Sequence, residues 1–140
     1  SPRPIWLDSP VTDFPIEGSP SQRAAVAELH DAYRRQDIED FLRAVSTKTD
    51  ELQRFYGPMP EFQPANARAN YGAMLSEPWD LDPLDWNDMI FERRGGGRTA
   101  YVTRKDGRPA LFAKHKTDPQ KAWAANLHLC MVGDRWRIFG

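Results

Sequence analysis

Cysteine is almost missing from this 140-residue chain: Cys130 stands alone, which rules out an intrachain disulfide and an all-cysteine metal site. A disulfide-free chain suits a reducing compartment and is equally legal in a periplasm, so a cytoplasmic and a periplasmic location both fit. No apolar run approaches the roughly 18 residues needed to cross a bilayer. An excess of one charge is lacking too. The 19 Lys and Arg against 20 Asp and Glu leave a net charge of −1, so the molecule as a whole has no field drawing it to DNA or to a membrane surface. An H-E-x-x-H helix and a serine elbow are also missing, and with them the usual starting points for hydrolase chemistry.

What is present is enough for one folded domain. The chain is 40% hydrophobic with five Trp and seven Phe, a composition that folds rather than stays disordered. Proline is unevenly spread. Five of the first twenty residues are proline, in "SPRPIWLDSPVTDFPIEGSP", and no helix forms there. Residues 1–20 read as an extended arm with Trp6 as a peg, or as the tail of a preceding module, and residues 21–140 as a single α+β domain. A start at Ser1 reads as a processed or excised product, which fits an auxiliary domain of a longer chain.

Ser19 or Ser21 is placed to cap a first helix with Pro20 in its first turn. Ala25, Leu29, Ala32 and Tyr33 then form an apolar stripe as far as Arg35. Asp37 caps a second helix, with Ile38, Phe41, Leu42 and Val45 on its inner side. Thr49 or Asp50 opens a short third one through Leu52, Phe55 and Tyr56, stopped by Gly57-Pro58. Another spans Ala65 to Leu75, weakened by Gly72. After Trp86 the texture changes to short β-type runs. "NDMIFERRGGGRTAYVTRKDGRPALFAKHK" holds three of them, with Asp106-Gly107 as a hairpin signal.

The last run, "NLHLCMVGDRWRIFG", reads as a hairpin turning at Gly133-Asp134, which sets Met131 opposite Trp136 and Leu129 opposite Ile138. Leu127, Leu129, Met131, Trp136 and Ile138 then share a core face. Asn126, His128, Cys130, Arg135, Arg137 and Phe139 share the other. Helices first and strands later predict an α+β fold, with N-terminal helices packed on a twisted antiparallel sheet of about five strands.

Two phrases, "AYRRQDIEDFLRAV" and "MVGDRWRIFG", resemble the opening and the final hairpin of the NTF2-like (cystatin-like, SnoaL-type) superfamily. The resemblance covers about a quarter of the chain. The proline-rich arm and the stretch from Gly57 to Trp86 depart from the family pattern. The resemblance implies a cone-like fold with a pocket between helices and sheet, and often a homodimer through the sheet. It implies no single activity, since members include isomerases, cyclases, dehydratases, transport factors and non-catalytic binding domains.

Several constellations are candidates for chemistry. "SEPWDLDPLDWNDMIFE" carries six carboxylates and no base. Its D-x-D spacing suits a hard cation, but Pro83 interrupts it and no EF-hand glycine or terminal Glu is in place, so a solvated acidic loop is the simpler reading and no metal is expected. The segment from Arg93 to Lys121 is basic. Tyr101 and Phe112 interleave as in single-strand binders, yet charged edge strands explain it as well, and nucleic acid is not the expected partner. "RRGGGR" lacks the helix and spacing of a P-loop. His30 reads as interfacial, His115 lies in the basic "KHK", and Cys130 reads as a buried apolar thiol.

The residues expected to bind a partner are Asn126, His128, Arg135 and Arg137, with Trp6 from the arm. An enzyme would instead use His128, Tyr33 and Asp37, with Asp31 or Asp40 as other carboxylates and Tyr56 and Tyr71 as further polar groups. The expected function is a non-catalytic protein-binding domain, such as a small bacterial inhibitor or toxin-neutralising protein, with no cofactor. The alternative is a small-molecule isomerase, cyclase or dehydratase moving a proton in the cone. An open pocket beside His128 with a carboxylate within about 3 Å of its ring marks the enzyme, and a filled cone excludes it.

Overall fold

A computed structural model describes residues 17–45, 64–94, 97–132 and 134–139. The arm with Trp6 and the short helix expected through Tyr56 lie outside them. Helix α1 runs Pro20–Arg34 and opens with Ser19, one of the two caps the sequence offers. Ser19 Oγ accepts from the Gln22 N–H at 3.3 Å while Gln22 Oε1 accepts from the Ser19 N–H at 2.9 Å, a reciprocal capping box. Asp37 caps α2, Ile38–Ala44, by accepting from the Asp40 N–H at 3.1 Å. Between the two helices Gln36 sits at φ 55°, a left-handed backbone that favours glycine. Its side chain fastens it there, donating to the carbonyls of Leu75 at 2.7 Å and Glu77 at 2.6 Å. That bond ties the α1–α2 turn to the end of α3, Pro64–Leu75.

Seven strands follow: β1 Trp79–Leu81, β2 Met89–Arg94, β3 Thr99–Arg104, β4 Leu111–His115, β5 Ala122–Ala125, β6 Leu127–Val132 and β7 Arg135–Phe139. All pairings among them are antiparallel, and they form two sheets, β1-β4-β5 and β2-β3-β6-β7. The class is therefore α+β as the pattern predicts, but the strand number is seven rather than about five. One addition is β1, drawn from the acidic stretch read as a loop. The other is β5, from "AWAA" just ahead of the last run, which Asn126 separates from β6.

Both departures have one cause. β1 and β2 pair with β4 and β3, and those pair in turn with β5 and β6. Three lines of chain thus run side by side, and all three are interrupted at the same level. Eight residues, 103–110, stand opposite the single Asn126, since Val102 pairs Leu127 and Leu111 pairs Ala125. Asp106-Gly107 does make a tight reversal, with Gly107 at φ 82° and a bridge between Thr103 and Pro109. That reversal is an excursion out of the sheet, and β3 and β4 are not neighbours in either sheet. Pro109 has no N–H to extend the ladder beyond the one bridge. Asn126 closes the gap: its Oδ1 accepts from the Ala110 N–H at 3.3 Å and its Nδ2 donates to Tyr101 Oη at 2.8 Å.

The final hairpin has the predicted register, Met131 opposite Trp136 and Leu129 opposite Ile138. Leu127, Leu129, Trp136 and Ile138 are buried and Met131 is half-buried against them. They form one cluster with Val26, Leu29 and Tyr33 of α1, Phe41 and Ala44 of α2, Leu75 of α3, and Phe91, Val102, Leu111 and Ala113 of the strands. Val45, expected on the α2 stripe, is instead extended and forms a parallel bridge to Ile138. The chain entering α1 also presses on the core: a Cβ at Gly18 would lie 2.7 Å from the Phe91 ring, closer than carbon atoms approach, so glycine is required there.

Candidate functional site

The interruption in the sheet opens a cleft of about 320 Å³, walled by Asp82, Asp85 and Asp88 on one side and Arg104 and Arg108 on the other. The acidic wall is shaped by a failed ladder. The Asp82 N–H still donates to the Phe112 carbonyl at 2.9 Å, but Pro83 has no N–H to continue. Asp85 then caps a 3₁₀ turn over Trp86–Asp88, accepting from the Asn87 N–H at 3.1 Å. The Asp88 carbonyl accepts from the Lys105 N–H at 2.7 Å, and the ladder resumes where Met89 pairs Arg104. His30 reaches from α1 to bind the Asp82 carbonyl through Nε2 at 2.8 Å, so this histidine fastens the loop to the helix. The Arg23 guanidinium lies 5.5 Å from the Trp86 ring centre and steadies the turn further.

Arg104 forms the inner end of the basic wall, with a side chain only 10% exposed and one terminal nitrogen 3.4 Å from Asp82 Oδ2. Arg108 is outside it. Its Nε donates to Asp106 Oδ2 at 2.7 Å and its N–H to Asp106 Oδ1 at 3.0 Å. The backbone and then the side-chain bond from Arg108 hold the Asp106 carboxyl below the usual carboxylate range. The acidic and basic stretches, read separately in the sequence, thus fold against one another. Among the described residues no three His, Cys, Asp or Glu side chains converge as a metal site would require.

The expected binding residues are placed differently. Asn126 is committed to the sheet interruption through both ends of its amide. His128 is half-buried on the outer face, where its ring lies 4.7 Å from that of Tyr101. Cys130, next on that face, is 1% exposed, so the outer face is partly covered. Arg137 donates to the Arg43 carbonyl. With exposed Arg135 and with Glu28 of α1 it lines a second cleft of about 140 Å³. Trp6 lies outside the described residues.

Among the described residues, Tyr33, Asp37 and His128 do not come together. Tyr33 points into the core and stacks on Trp123, ring centres 5.0 Å apart. Asp37 belongs to an exposed ion-pair group in which Arg35 reaches Asp31, Asp37 and Asp40. His128 alternates with the buried Leu127 and Leu129 and so faces away from Tyr33. Burial, and secondarily the charge of Glu77, pushes the Tyr33 phenol up. Among the described residues its hydroxyl has no hydrogen-bond partner. Removing it should therefore help: Tyr33→Phe is expected to raise unfolding free energy by about 1 kcal/mol in urea titration. A loss of stability would mean that the hydroxyl is engaged.

His115 has a structural task. Its Nδ1 accepts from the N–H groups of Thr117 at 3.2 Å and Asp118 at 2.9 Å, closing the β4–β5 turn. The ring packs edge-on against Trp79 at 5.3 Å, with Nε2 3.6 Å from Glu77 Oε1. Glu77 in turn holds Lys121 at 2.7 Å. Comparison with protein-family models, with curated proteins and with solved structures finds no match to this chain. Its own geometry carries the functional reading.

Proposed function

We propose that this chain is a non-catalytic protein-binding domain of the inhibitor or neutralising kind, built on an NTF2-like plan. The observation that carries this reading is the close packing, among the described residues, of the side chains between helices and strands. Where that plan would place a reaction pocket, Tyr33, Phe41, Phe91, Leu111, Leu129 and Ile138 are all fully buried in one cluster. A proton-transfer enzyme needs an acid–base pair around an open site, and Tyr33, Asp37 and His128 lie apart. Charge is concentrated instead at the rim, where the acidic and basic walls of the sheet interruption meet solvent. Opposed charges of that kind steer and select a protein partner more than they add affinity.

The test is capture from source-cell lysate by the immobilised chain, read by mass spectrometry. One partner retained in near-stoichiometric amount is expected from the wild-type chain. It should be lost from an Asp85→Lys, Asp88→Lys variant whose thermal melt is unchanged. Equal retention by both forms, or no retained protein at all, would overturn the reading. Self-association through the sheet is measured separately by sedimentation, comparing the wild-type chain with Arg137→Glu. A wild-type dimer that the substitution returns to monomer would make a second copy the partner.

A further inference from the structure

We propose that the cleft at the sheet interruption is a binding site for a small zwitterion of the amino-acid class. The inference goes beyond protein binding and stands or falls separately from it. The charges of the cleft are only partly satisfied from within. Arg108 is spent on Asp106 through side chain and backbone. Arg104, although its side chain is 10% exposed, has one long described contact, 3.4 Å to Asp82. A guanidinium carries five N–H donors, and one removed from water favours a planar acceptor that takes two at once, as a carboxylate does.

Across the cleft, Asp85 uses one oxygen on the Asn87 N–H. The carboxylate of Asp88 has no described cation bonded to it, although its charge reaches Arg108 through space. These two carboxylates suit an ammonium group. A ligand with only a negative charge would meet three aspartates, and one with only a positive charge would meet two arginines. A molecule bearing both signs a few bonds apart answers both walls. The cleft volume, about 320 Å³, lies at the small end of ligand sites. Leu84, Met89 and Ala110 supply an apolar lining for a short aliphatic chain.

The experiment is titration of the full chain, followed by amide chemical shifts, with three probes of similar length: L-lysine, 1,5-diaminopentane and hexanoate. L-lysine should shift the signals of Asp85, Asp88, Gly107 and Arg108 in a saturable way. Each single-sign probe should bind at least about tenfold more weakly, as expected when one charge-assisted contact is lost. Asp88→Asn, an alteration at the rim, should weaken L-lysine by a similar factor. Arg104→Gln should do the same and bring the affinity of L-lysine down to that of diaminopentane. Equal binding of L-lysine and diaminopentane by the wild-type chain would reduce the cleft to an acidic patch and overturn the proposal. Absence of saturable shifts with all three probes would overturn it too. Because the comparison among probes uses the unaltered protein, a misfolded variant does not rescue it.

Discussion

Trp136→Ala is expected to lower the unfolding free energy by about 3–5 kcal/mol, the cost of emptying a buried aromatic site. Trp136 is 7% exposed, faces Met131 across the hairpin and belongs to a strand that packs against α1. Two causes add. The apolar surface of the indole is no longer withdrawn from water, and the cavity left behind is walled by a helix and a sheet that cannot both collapse into it. Its neighbour Arg135 is exposed and directed the other way, so Arg135→Ala should leave the urea midpoint nearly unmoved. The contrast between adjacent residues tests the register, because a slip of one position exchanges the two faces. A midpoint that stays in place for Trp136→Ala would reject the inward placement of that face.

A loss of similar size, about 3–5 kcal/mol, is expected for Phe41→Ala. Phe41 is buried between Tyr33, ring centres 6.2 Å apart, and Tyr71 at 4.9 Å with a 56° tilt. It is the one ring of α2 that touches both α1 and α3. Truncation should weaken more than a cavity, since the seven residues of α2 are too few to be stable as a helix without packing. The coupling to Tyr71 can be separated by a double-mutant cycle with Tyr71→Ala, in which an aromatic pair of this geometry contributes about 0.5–1.5 kcal/mol. Additive losses in that cycle would mean that the two rings stabilise the fold independently.

The features legible in the sequence are those fixed by neighbours in the chain. The Ser19 and Asp37 caps depend on donors three residues away, and the register of the last hairpin depends on a two-residue turn. All three were found in place. The α+β class followed from the order of periodicities. The interruption of the sheet is not legible in the sequence, because it is a match between distant segments: Asp82 meets Arg104 across 22 positions, and Ala110 meets Asn126 across 16. Signals for it did exist. Pro83 and Pro109 each remove a ladder donor at the level where pairing stops, and Asn126 puts an amide into an otherwise apolar run. The same distance hid the cleft, whose walls looked like a solvated acidic loop and a charged hairpin tip until they were brought together. His30 and His115 were legible only as residue types, since their acceptor and donors belong to backbone groups that folding supplies.

The bridge between Val45 and Ile138 covers one position on the margin of the four-stranded sheet. Among the described residues β7 ends the order of its sheet, and a bare strand rim is a template on which further copies can stack. Val45 occupies that rim at Ile138, and it does so because α2 stops at Ala44 and delivers the chain there. That one-residue cover of the rim is therefore held in place by a helix outside the sheet. Loosening α2 would uncover a sticky margin while the strands themselves were still folded.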